Sequence, residues 1–138
     1  MTQEEKQLLL IDLCARLPYG VVAYASEINK NGIITDVNIP YNMVNLTVDN
    51  SSGKYELVPL FDIKPYFRPM SSMTEGEKEE YGKVCELDTE ILSKHPMDGT
   101  PFPALYNSQD WLNKHHFDYR GLIEMDLAIK APEEMYKN

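Results

Sequence analysis

The sequence predicts an α+β fold: an N-terminal helix, then a small antiparallel sheet or SH3-like or Sm-like barrel over about residues 20–68, then a helical C-terminal part. Three observations carry this prediction. Apolar residues follow helical spacing over 2–17, side chains alternate with a period of two over 20–60, and helical spacing returns over 74–95. A run of strands flanked by helices is typical of the α+β class.

Length and composition fit one globular unit. The chain has 138 residues, of which 43% are hydrophobic and 25% charged, close to average for soluble domains. We expect residues 1–70, a helix plus the sheet or barrel, and residues 71–138, a helical region packed on it, to form that unit together. The net charge of −9 argues against direct nucleic-acid binding, which draws its affinity from Lys and Arg on phosphates.

The first helix carries start and stop signals. Thr2 followed by Glu5 forms a capping box, and Pro18 and Gly20 end the helical pattern. Its longest apolar run is far too short for a membrane span, and the acidic residues before that run are atypical of a signal peptide. We therefore expect a cytoplasmic protein with no membrane partner.

Residues 20–60 contain a turn signal and a clear strand pattern. The Asn-Gly pair predicts a hairpin turn over residues 29–32, because this pair adopts the left-handed conformations that tight hairpins need. Val44, Leu46 and Val48 alternate with polar residues and predict a half-buried strand.

A proline-aromatic arm follows over residues 61–70 and packs two prolines around three aromatic residues. Proline fixes φ and disfavours helix before it, so the arm is predicted to be extended or a fifth strand at the sheet edge. Tyr66, Phe67 and Arg68 are residue types enriched at binding hot spots. The arm is therefore either a partner-binding segment or part of a pocket for an anionic ligand, or else a structural strap whose aromatics pack on the sheet.

The C-terminal half is predicted to be helical. Thr74 with Glu77 forms a second capping box, and the helix that follows bears an acidic run over 75–90. Ser108 and Asp118 are each placed to cap a short helix in the tail.

The sequence offers little for catalysis, metals or cofactors. Its three histidines are His95, His115 and His116, and adjacent helical residues point about 100° apart, which rarely suits one metal ion. Cys14 and Cys85 have no metal-binding spacing and are predicted to be buried free thiols. There is no GxSxG motif and no glycine-rich phosphate loop. We expect a protein that is not an enzyme, with no catalytic residue, no metal and no cofactor.

Three strings carry a family resemblance: LCARLPYG at 13–20, IKPYFRPMSSMT at 63–74 and DYRGLI at 118–123. Together they resemble a group of small uncharacterised proteins of gut Bacteroidales, their prophages and their phages. The resemblance implies a phage or mobile-element context, and hence the host cytoplasm. The resemblance does not imply any catalytic residue in this chain.

Three functions follow as expectations. The first is a non-catalytic accessory protein that acts as a binding or assembly module through its arm, with a protein partner or a second copy of itself. The second is an anti-defence sponge that sequesters an anionic nucleotide signal, since arginines clamp phosphates well. The third is an acidic inhibitor of a host nucleic-acid enzyme. The candidate ligand- or partner-binding residues are Arg16, Lys64, Tyr66, Phe67, Arg68 and Arg120.

Overall fold

The structure, a computed structural model, describes residues 1–49, 54–95, 98–99 and 107–137. Helix α1 spans Gln3–Arg16 and begins with the predicted capping box. The Thr2 hydroxyl accepts from the Glu5 N–H at 3.1 Å, and the Glu5 carboxylate accepts from the Thr2 N–H at 2.8 Å. The chain leaves α1 through a 3₁₀ turn over Leu17–Tyr19 and bends at Gly20, whose φ of +72° suits glycine.

Within these ranges, six strands form one open mixed sheet in the order β4-β3-β2-β1-β5-β6. They are β1 (Val22–Ala25), β2 (Lys30–Asn38), β3 (Met43–Asp49), β4 (Lys54–Pro59), β5 (Ile63–Phe67) and β6 (Ile129–Lys130). Strands β1 to β5 pair antiparallel, and β6 pairs parallel to β5. The predicted α+β class is confirmed. These pairings leave β4 and β6 at opposite ends of the order, so they do not show closure into a barrel.

The turn between β1 and β2 differs from the prediction. It lies over residues 26–29, and Gly32 lies inside β2. Asn29 takes the positive φ, +52°, that the turn requires, which asparagine tolerates better than most residues. A Cβ on Gly32 would lie 3.0 Å from the Thr47 carbonyl oxygen. The predicted turn over 29–32 is wrong because this glycine allows the close approach of β3.

The arm forms β5, between β1 and β6. Ile63, Pro65 and Phe67 are buried, whereas Lys64 and Tyr66 are partly exposed. The predicted fifth strand is confirmed, but its edge position is wrong because β6 pairs with its last two residues. That pairing begins after the proline, which has no N–H to contribute.

The described residues form two apolar cores. The larger lies between α1 and the sheet and includes Leu9, Leu13, Val21, Ala23, Val44, Leu46, Leu60, Ile63, Phe67 and Leu122. The half-buried strand predicted for β3 is confirmed, with Val44 and Leu46 fully buried. The smaller core gathers Trp111, Leu112 and Phe117 with partly buried side chains that include Tyr81 and Val84.

Helices α2 (Glu75–Ser93) and α3 (Asn107–Lys114) surround the smaller core. The predicted capping box of Thr74 and Glu77 begins α2. The first turn of α3 is held from the other helix, because the Asp88 carboxylate accepts from the Ser108 N–H at 2.9 Å. Within the described residues, neither these helices nor α1 is long and apolar enough to cross a bilayer.

The second tail helix is not formed, so that prediction is wrong. The Asp118 carboxylate accepts from the N–H groups of Leu122 and Ile123 at 2.9 and 3.0 Å, which are four and five residues ahead, so it stabilises a turn and does not cap a helix. The turns that follow reach Asp126, which has a φ of +60°. This left-handed residue ends any helical path and directs the chain into β6.

The prediction of a buried Cys14 is also wrong. Cys14 is exposed and Cys85 is intermediate. Helix α1 turns Leu9, Leu13 and the charged pair Asp12 and Arg16 toward the core instead. Leu9, Leu10 and Leu13 are buried as their helical spacing predicts. An apolar pattern gives no weight to charged residues, so it includes Cys14 in the buried face and leaves out Asp12 and Arg16.

Candidate functional site

A buried charge network occupies the inner face of α1. Asp12 and Arg16 are both fully buried, and the Arg16 Nε donates to Asp12 Oδ2 at 2.8 Å. Arg120, which is partly exposed, donates from its Nε to Asp12 Oδ1 at 3.0 Å. Burial raises the pKa of Asp12, and the two guanidinium groups oppose that rise. The Asp12 carboxylate therefore forms ion pairs with both Arg16 and Arg120.

The guanidinium group of Arg16 lies between aromatic rings. Its Cζ is 4.0 Å from the centre of the Phe67 ring and 5.0 Å from that of Tyr119. Its Nη1 is buried with no hydrogen-bond partner among the described residues. Among the predicted site residues, Arg16, Phe67 and Arg120 thus come together, but as a packed network in which Arg16 and Phe67 have no solvent access.

Two other predicted site residues lie on the exposed side of β5. The Lys64 ammonium is 2.8 Å from the Asp126 carboxylate. The Tyr66 hydroxyl donates to Asn31 Oδ1 at 3.0 Å. Neither is among the residues that line the cleft described next.

A cleft of about 390 Å³ lies where β5 ends, between the start of α2 and the C-terminal segment. Its lining divides into charged, hydroxyl-bearing and apolar groups. The charged or ionisable residues are Arg68, Glu77, His115, Lys130, Glu133 and Lys137; the others are Pro69, Ser72, Thr74, Ala131, Pro132 and Tyr136. The cleft thus combines three permanent cations with an apolar wall.

Arg68 is fixed at the inner end of this lining. Its Nη1 and Nη2 donate to the two carboxylate oxygens of Glu77 at 2.8 and 2.7 Å. Its Cζ lies 4.1 Å from the centre of the Phe117 ring. These hydrogen bonds, together with those from Thr74, lower the pKa of Glu77 to about 2. The pair is therefore ionised at neutral pH and holds the guanidinium in one orientation.

Tyr136 forms one wall. Its hydroxyl donates to the Tyr66 carbonyl at 2.7 Å and accepts from the Val22 N–H at 3.0 Å. Burial raises the pKa of Tyr136 to about 12, so it remains a neutral phenol. Its ring stacks on His116 with centroids 3.7 Å apart. Burial, with the nearby Arg16 cation, lowers the pKa of His116 to about 4, so that the imidazole is neutral at pH 7.

Among the described residues, the unpaired charges of the lining sum to a net positive charge, because Lys130 and Lys137 outnumber Glu133. Lys130 and Lys137 make no ion pair within the described part of the chain, whereas Arg68 is paired with Glu77. Thr74 accepts a bond from the helix backbone through its hydroxyl oxygen, which leaves the hydroxyl proton for another acceptor. The N-terminal end of α2 adds a partial positive charge to the same side of the cleft.

Of the predicted site residues, only Arg68 lines the cleft. Sequence reasoning missed Lys130, Tyr136 and Lys137 because nothing local marks a two-residue parallel strand or the segment after it. His115 was weighed only as a metal ligand. Within the described ranges, no group of three or more His, Cys, Asp or Glu side chains is arranged to hold a metal ion.

Comparisons with protein-family models, with curated proteins and with solved structures found no match.

Proposed function

We propose that the protein is a non-catalytic binding module that takes a small anionic molecule into the cleft at the end of its proline-aromatic arm. One observation carries the proposal. Within the part of the chain that the structure describes, Arg68, Lys130 and Lys137 share one lining with only two carboxylates, Glu77 and Glu133. The lining is therefore net positive, although the chain as a whole has a net charge of −9. Cations collected in a cleft of an acidic protein raise the local concentration of anions.

The lining indicates what kind of anion fits. A phosphate or carboxylate group matches the lysine ammonium groups and the hydroxyl proton of Thr74. Pro69, Ala131 and Pro132 provide an apolar surface for the rest of the molecule. A volume of about 390 Å³ is at the small end of ligand pockets, which favours a molecule no larger than a nucleoside monophosphate. This is the ligand chemistry of the nucleotide-sponge alternative.

The carboxylate beside Arg68 supports binding over catalysis. With a pKa of about 2, Glu77 is a weak proton acceptor at neutral pH and a poor general base. Its hydrogen bonds hold Arg68 in place and neutralise its charge. Lys130 and Lys137 therefore carry the unpaired positive charge that a bound anion would contact. The accessory role in a phage or mobile element, the location in the cytoplasm and a barrel over about residues 20–68 remain predictions.

The test is isothermal titration calorimetry with three probes: inorganic phosphate, adenosine monophosphate and a dipeptide with a free carboxylate. We expect the nucleotide to bind. Reversing both free cations, Lys130→Glu with Lys137→Glu, is expected to raise its Kd about tenfold or more, since a charge-assisted hydrogen bond contributes about 1.5–3 kcal/mol.

The matched control reverses two exposed lysines outside the cleft, Lys30→Glu with Lys83→Glu. It changes the net charge by the same amount and is expected to leave the Kd within about twofold. Wild-type protein that binds none of the three probes would contradict the proposal. Equal weakening by both double variants would show that only overall charge matters.

A further inference from the structure

The free edge of the sheet opposite the cleft is the second feature with a functional implication. Among the residues that the structure describes, strand β4 ends the strand order and pairs with β3 alone. Two large side chains on this strand, Tyr55 and Leu57, are 67% and 56% exposed. An exposed edge strand with apolar side chains is a template for pairing with another strand.

The register shows which backbone groups face outward. The Leu60 N–H donates to the Asn42 carbonyl at 2.8 Å, and Val58 lies opposite Val44 in β3. Backbone groups of successive strand residues point to opposite sides. Tyr55, Leu57 and Pro59 therefore direct their backbone groups to the free edge, where the donors are the N–H groups of Tyr55 and Leu57.

We propose that a second copy of this chain pairs antiparallel along β4, about a two-fold axis at Leu57. In this register Leu57 lies opposite Leu57 of the second copy, and Tyr55 lies opposite Pro59. Each Tyr55 N–H then donates to a Pro59 carbonyl and each Leu57 N–H to a Leu57 carbonyl. Both edge donors of each copy are used, and the proline occupies a position where only its carbonyl is needed.

Charge selects this register over its neighbour. Pairing about Glu56 would place the two Glu56 carboxylates directly opposite each other, which destabilises a strand pair. A shift by a single residue would pair side chains on opposite faces of the two sheets. The axis at Leu57 instead joins the apolar side chains of Tyr55, Leu57 and Pro59 from both copies on one face. The strand is thus complementary to itself, which is what a two-fold interface requires.

The ends of β4 limit how far pairing extends. Lys54 is charged, Pro59 lacks an N–H, and the register with β3 shifts between Thr47 and Asp49. All three are features that restrain edge pairing. The interface is accordingly below the standard size of about 1,200 Å² or more, and we expect a dimer that dissociates in the micromolar range.

Sedimentation equilibrium across a micromolar dilution series tests the interface. Wild-type protein is expected to approach twice the 15.9 kDa mass of one chain. Leu57→Lys places like charges across the axis and is expected to raise the dimer Kd about tenfold or more. The control Leu92→Lys alters a similarly exposed leucine, 47%, on α2 and is expected to leave the Kd unchanged.

Disulfide trapping tests the register. With Cys14→Ser and Cys85→Ser in place, Leu57→Cys is expected to cross-link two copies on oxidation, because Cα atoms of a hydrogen-bonded antiparallel pair lie about 5.5 Å apart. Glu56→Cys is expected not to cross-link efficiently. A monomer throughout the series, a dimer untouched by Leu57→Lys, or an edge that pairs only with an extended peptide of another protein would overturn the proposal. Preferential cross-linking through position 56 would overturn the register.

Discussion

Replacing Asp12 with asparagine gives the sharpest test of how α1 is held on the sheet. The substitution keeps the size of the side chain and removes the carboxylate charge that faces Arg16 and Arg120. Arg16 is fully buried, and arginine carries a permanent positive charge in proteins. Removing one partner of a buried ion pair costs about 3–5 kcal/mol because it leaves an uncompensated buried charge. We expect Asp12→Asn to destabilise the protein by that amount.

Urea unfolding followed by far-ultraviolet circular dichroism measures this loss. Domains of this kind have a free energy of unfolding of about 5–15 kcal/mol, so the midpoint should fall by a large fraction. The matched control is Asp126→Asn, the same chemical change in an ion pair whose carboxylate side chain is 88% exposed. Exposed pairs contribute about 0–1 kcal/mol. Equal effects of the two substitutions would refute the reasoning that burial makes the Asp12 network important.

Three further predictions concern local features. Burial lowers the pKa of His116 to about 4 in the folded protein, from 6.5 for a free histidine. Between these two pH values the unfolded chain binds a proton at His116 and the folded chain does not. The free energy of unfolding should therefore fall by up to about 3 kcal/mol as the pH drops through that range. Asparagine suits the local φ of +65°, so His116→Asn should fold. Urea unfolding of this variant should show a smaller loss of the free energy of unfolding between pH 7 and pH 4 than the wild type shows. An unchanged loss would contradict the assignment of the pH dependence to His116. Gly32→Ala should lower the melting temperature in calorimetry, since the new Cβ would lie 3.0 Å from a carbonyl oxygen of β3; an unchanged or higher value would mean that β3 can shift. Asp88→Ala should speed amide exchange at Ser108, because it removes the carboxylate that accepts the hydrogen bond from the Ser108 N–H. Exchange in α1 should be unaltered.

Local signals accounted for the elements whose causes are local. Both capping boxes, the alternation of β3 and the extended arm depend on residues within a few positions of one another. The predicted hairpin turn over residues 29–32 was wrong because Gly32 lies inside a strand. It packs closely against Thr47 of the next strand and is not part of the turn. An Asn-Gly pair predicts a turn from the sequence whether the glycine lies in a turn or inside a strand.

The site depends on contacts that the sequence pattern does not encode. The cleft joins Arg68, Glu77, His115 and Lys130 through a two-residue parallel strand that carries no periodicity of its own. Of the cations predicted to bind a ligand, Arg16 instead neutralises a carboxylate inside the protein. Sequence reasoning can identify cations worth testing, but only the fold shows which of them face solvent.

The most direct test of the proposed function is a two-dimensional ¹⁵N–¹H NMR titration of the labelled protein with adenosine monophosphate. The account predicts saturable shifts that cluster at the end of β5, the start of α2 and the C-terminal segment, with little change along β4. Shifts that scatter over the surface, or spectra that do not change up to millimolar nucleotide, would contradict the binding cleft.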